Sequence, residues 1–146
     1  MSMIRRIFVE KKDAFAVEAH GLLADLRNNL GMTGLENIRM MNRYDVMGLS
    51  DEEFAMAKKL VLSEPPVDKV LEEELPIAEG SHAFAVELLP GQYDQREDFA
   101  EQCIQLITQK DRPMVAAAKV YVLEGELSED EVAKISSIEE EYKIQI

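Results

Sequence analysis

The stretch "LSDEEFAMAKK", Leu49 to Lys59, decides how the chain is read, because "LSEDEVAKISS", Leu127 to Ser137, repeats its design. Each opens on a serine with a glutamate three residues later, Ser50 with Glu53 and Ser128 with Glu131. That spacing is a capping box. The hydroxyl accepts from the amide at the third helical position, and the carboxylate accepts from the serine's own amide. Two helix starts of the same design pose the question of whether the residues before them repeat as well.

They do. Before the first box, "IRRIFVE" at 4–10 alternates and is rich in β-branched and aromatic residues, as a strand is. Residues 13–31, "DAFAVEAHGLLADLRNNLG", set Leu22, Leu26 and Leu30 four apart with Leu23 beside them. This predicts an amphipathic helix, with Asp13 capping its start and Gly31 closing its end. "LENIRMMNRYDVMG" at 35–48 reads as a second strand. Moving on by 77 residues gives strand "HAFAVELL", helix "REDFAEQCIQLIT" and strand "MVAAAKVYVLEG". In that frame Leu22, Leu26 and Leu30 fall on Phe99, Cys103 and Ile107, Tyr44 falls on Tyr121, and Gly48 on Gly125. One inserted residue then aligns the two boxes. A third strand follows each box helix, "VDKVLEEEL" and "EEYKIQI".

The expected fold is α/β, an α+β two-layer sandwich built from duplicated β-α-β-α-β units, residues 1–76 and 77–146, about a pseudo-twofold axis. A three-stranded sheet with two helices on one side leaves a face or an edge uncovered, so the two lobes are expected to cover each other. The Pro-rich "SEPPVD" at 63–68 leads into the last strand of the first lobe and starts the crossing to the second. Glu64-Pro65-Pro66 reads as an extended, stiff connector, since each proline fixes its own φ and keeps the residue before it out of the helical region.

Composition narrows the function. The chain has 146 residues, 16 basic and 29 acidic side chains and a net charge of −13, a field that repels phosphate backbones and anionic lipid. Neither nucleic acid nor membrane is an expected partner. A single cysteine, Cys103, forms no disulfide within the chain and no thiol pair for zinc. No signal-like or membrane-spanning apolar run is apparent, so a cytoplasmic protein is expected. Cys103 reads as core, His20 and His82 as structural or solvated, "EEE" at 72–74 as a charge-protected strand edge, and Tyr44 as a buried tyrosine with a satisfied hydroxyl.

The segments "GLLADLRNNLG", "NRYDV", "SEPPVD", "EEELP", "LPGQYDQR" and "QCIQLIT" occur in this order between residues 21 and 108. In them the chain resembles the N-terminal domain of large, single-chain phosphoribosylformylglycinamidine synthase, the purine-pathway amidotransferase. That domain is similar to a fused pair of PurS-type subunits, and the repeat is what such a fusion predicts. The resemblance implies an enzyme that makes the amidine from formylglycinamide ribonucleotide with ATP, magnesium and glutamine-derived ammonia. For this chain it implies a noncatalytic, monomeric scaffold without a cofactor or metal of its own, joining synthetase and glutaminase parts. The end, "SSIEEEYKIQI", departs from the family pattern, which puts the last strand in doubt.

The best site candidate is Pro90, Gly91, Gln92, Tyr93, Asp94, Gln95 and Arg96. A Pro-Gly turn there brings Tyr93, Asp94 and Arg96 to the mouth of a helix, at an interface or substrate entrance. The equivalent turn of the first half, "KKDAFA", lacks the Pro-Gly pair. The alternative is a capped helix start with Arg96 paired to a carboxylate. For the whole chain the rival reading is a standalone duplicated module that binds a small ligand between its lobes. An acid and base pair of Asp94 and Glu97 is disfavoured, since an exposed helix start does not desolvate either carboxylate.

Overall fold

The computed structural model describes residues 4–77, 80–86, 94–137 and 143–145. Along the chain run β1 (Arg5–Lys11), α1 (Val17–Asn29), β2 (Leu35–Met47), α2 (Asp51–Leu60), β3 (Asp68–Glu72), β4 (His82–Val86), α3 (Gln95–Thr108), β5 (Met114–Gly125), α4 (Glu129–Ser137) and β6 (Lys143–Gln145). This is β-α-β-α-β twice over. The strands form one sheet in the order β3-β1-β2-β5-β4-β6, every pair antiparallel.

The duplication is written in the register. Ile7 pairs with Tyr44 across β1 and β2; 77 residues on, Phe84 pairs with Tyr121 across β4 and β5. The halves join edge to edge through β2 and β5, where Asn42 pairs with Lys119. Those two residues are each other's equivalents under the same shift, so the pseudo-twofold axis passes between them. The sheet thereby closes the open edge of each half with the other.

Helix packing ties the halves further. Phe54 and Ala57 of α2 share a buried cluster with Ala100 and Ile104 of α3, over Ile7, Val9, Tyr44, Val46, Val115 and Ala117. Leu26 of α1 shares a second cluster with Ile135 of α4, over Ile38, Phe84, Tyr121 and Leu123. In β2, Ile38, Tyr44 and Val46 have the same parity, so both clusters lie on one face. Each cluster draws its helices and strands from both halves. The lobes do not cover each other as separate sandwiches; they merge into a two-layer α+β sandwich with a joint core.

On the other face Phe8, Met41, Ala85, Ala118, Val120 and Val122 are buried, with Leu71, Leu75 and Ala83 packed against them. Charged side chains flank this patch in pairs. Arg39 donates to Glu10 at 2.7 and 3.0 Å, and Arg6 to Asp45 at 2.7 and 3.0 Å. Arg39 also donates to the Pro76 carbonyl at 3.0 Å, fixing the segment that leaves β3. That segment, and not the proline pair, leads from one half to the other. Residues 64–68 close into a turn, with the amides of Val67 and Asp68 donating to the Glu64 carbonyl at 2.9 and 2.8 Å and the Asp68 carboxylate accepting from the Glu64 amide at 2.7 Å. The extended connector expected for Glu64, Pro65 and Pro66 is therefore replaced by a tight turn feeding β3.

Both capping boxes form, Ser50 with Glu53 and Ser128 with Glu131. Gly31 sits at φ +69 beyond α1, as a helix-ending glycine does. Asp13 does not cap α1. It starts a short 3-10 turn, Asp13–Phe15, and its carboxylate meets His20 Nε2 at 3.2 Å, while the helix N-cap is Ala16. The strands match at a shift of 77 residues, but the buried Ala100 and Ile104 match Leu22 and Leu26 one residue further on. This slip, hidden by the leucine spacing, turns Phe99 outward and leaves Cys103 half-buried beside the core face instead of within it.

Candidate functional site

Asp94, Gln95 and Arg96 stand at the start of α3; Pro90, Gly91, Gln92 and Tyr93 lie outside the described residues. Asp94 is the N-cap. Its carboxylate accepts from the amides of Arg96 at 2.8 Å and Glu97 at 3.3 Å, satisfying two donors that a helix start leaves free. The bland role of that residue, holding the helix start, is thus filled by Asp94. Arg96 does something else. Its side chain is exposed, and among the described residues no carboxylate lies within ion-pair range of it.

Arg96 lines a cleft of about 290 Å³ on the helix side of the sheet, close to the pseudo-twofold axis. The cleft floor holds Val9, Met40 and the axial pair Asn42 and Lys119; its rim holds Lys11, Phe15, Val17 and Glu18. Lys11 is held by buried Asp68 at 3.1 Å, and Lys119 contacts Glu18. The phenol of Tyr44 stands near this group. Burial pushes its pKa up, Arg96 works against that, and Asp68 and Asp94 add to it. One exposed guanidinium thus lines a cleft whose other cations, Lys11 and Lys119, are already balanced. A small anion or a partner's carboxylate matches that charge pattern.

The outer turns of α3 complete the site. Its carboxylates point inward: Glu97 accepts from the amide of Ala117 at 2.7 Å and Glu101 from that of Val115 at 2.9 Å, while Asp98 and Glu101 hold Arg112. Among the described residues β4 pairs with β5 as far as Lys119, and these two carboxylates serve β5 amides further along that strand. Asp94 and Glu97 are thus acceptors in a cap and a strand edge, not an acid and base pair.

Of the residues that the sequence singled out, Arg96 lines the cleft; Lys11, Asn42 and Lys119, which line it too, were not singled out as site residues. These meet only through the central strand pairing. The signal was present: Asn42 and Lys119 are separated by the repeat shift itself, so an antiparallel join of equivalent strands places such a pair on the axis. Glu97 and Glu101, four apart on a helix, were a second signal passed over.

Comparison with protein-family models, curated proteins and solved structures finds no match to this chain.

Proposed function

We propose that this chain is a PurS-like scaffold domain of phosphoribosylformylglycinamidine synthase, noncatalytic alone, that joins the synthetase and glutaminase parts and helps form the substrate and ammonia route. The observation that carries the reading is the repeated register about Asn42 and Lys119, with each helix pair shared between halves. A fused pair of identical subunits has that geometry. The "LPGQYDQR" segment, whose last residues start α3, supplies the link to this enzyme in particular. ATP and magnesium belong to the rest of the enzyme.

The test is add-back. Purified chain mixed with an enzyme lacking its N-terminal domain should bind it and restore glutamine-dependent amidine formation, while showing no glutaminase or ATPase activity alone. Absence of binding and of restored turnover overturns the reading. The cleft on the axis favours the rival, a small-ligand module. A dose-dependent rise in melting temperature with phosphate or carboxylate ligands, abolished by Arg96→Ala, would establish that rival.

A further inference from the structure

We infer that the outer face of α3 is the docking surface, and that its occupant is a protein surface offering an apolar recess with a carboxylate beside it. This rests on the docking reading above. The helices of this acidic chain show their charges to solvent: α1 exposes Glu18, Asp25 and Arg27, α2 exposes Asp51, Glu52 and Lys59, and α4 exposes Glu129, Asp130 and Lys134. The third helix inverts the pattern. Asp94 caps the helix, Glu97 and Glu101 bond the sheet, Asp98 is held at the surface by Arg112 and Gln102, and the outer turns present Gln95, Arg96, Phe99, Gln102, Gln105 and Leu106. Phe99 is 65% and Leu106 74% exposed. Seven residues apart, they lie two turns from each other on one stripe.

Charge depletion around an aromatic and an arginine is the composition of an interface core, not of ordinary surface. Burying Phe99 and Leu106 removes them from water, and the neighbouring glutamines are neutral and bond a partner's backbone in either sense, while the nearest carboxylate, Asp98, is already paired with Arg112. Arg96 at the end of the stripe then needs an anion once it is desolvated. A second copy fits poorly. Laying α3 on its counterpart with Phe99 against Leu106 sets Arg96 opposite the neutral Gln109, which offers it no anion, and brings two charges of −13 together.

The test uses the full chain and the enzyme lacking its N-terminal domain, with binding followed by calorimetry and self-association by sedimentation. Phe99→Ser with Leu106→Ser, and separately Arg96→Glu, should leave the melting temperature of the chain unchanged and weaken binding about thirtyfold or more. Met56→Ser with Leu60→Ser, exposed apolar positions on α2, should bind as the native chain does. Native binding with the α3 variants unaffected overturns the assignment of this face and leaves the scaffold reading standing. Failure of the native chain to bind removes both. A native dimer that the α3 variants make monomeric overturns the stated occupant in favour of a second copy.

Discussion

At the scale of single residues, the tightest constraint is where the end of β5 crosses the start of β2. The amide of Glu126 donates to the Gly34 carbonyl at 2.9 Å, and a Cβ at Gly34 would lie 2.1 Å from the Glu126 carbonyl oxygen. Neither backbone can retreat without breaking the central pairing. Gly34→Ala should therefore cost about 3 kcal/mol, read as a lower denaturation midpoint. Gly21 is the contrast. It is exposed within α1 with nothing near its would-be Cβ, so Gly21→Ala should stabilise the chain by about 1 kcal/mol in the same measurement. Arg96→Ala, at an exposed side chain, should change stability by less than about 0.5 kcal/mol. The sequence made Arg96 legible as a helix-mouth cation. It left Phe99 unreadable, because a one-residue slip between equal leucine spacings changes which side chain faces water.

At the scale of elements, α2 and α3 are held by acceptors placed on backbone donors. Ser50→Ala removes the hydroxyl half of the first box and should cost about 1 kcal/mol, with Ser128→Ala comparable at α4. The pH dependence has a definite sign. The Ser50 amide, then Lys110, hold the Glu53 carboxylate below its ordinary pKa of 4.5. Its stabilisation is complete above that ordinary value and is lost as pH falls through the lower folded one. Glu53→Gln should flatten the acid limb of a stability profile measured by thermal melting at a series of pH values. Glu97→Ala or Glu101→Ala leaves a β5 amide without its acceptor and should cost about 1–3 kcal/mol in denaturant. The boxes were readable because their chemistry is local, three residues wide. The bonds from Glu97 and Glu101 to β5 were not, because their partners lie 14 and 20 residues away and meet them only once α3 packs on the sheet.

At the scale of the molecule, both helix-side clusters need both halves. Residues 1–77 or 80–146 alone should lack a cooperative melt, and mixing the two pieces should restore one, detected by calorimetry; a cooperative melt in either piece would contradict the joint core. The repeat let the sequence announce two β-α-β-α-β units, and those are present. It did not announce that they share one sheet, because an open edge can be satisfied by pairing or by cover, and residue pattern alone does not choose. The central pairing also carries a consequence for synthesis. Met47 ends β2, but its partner β5 is complete only at Gly125. At about 5–20 residues per second, a ribosome leaves the long edge of β2 waiting roughly 4–16 seconds for its mate. During that interval the nascent chain presents an unpaired strand to its neighbours on the polysome. Slowing elongation between codons 48 and 114 should therefore raise the aggregated fraction, and speeding it should lower it, with no change to the finished molecule.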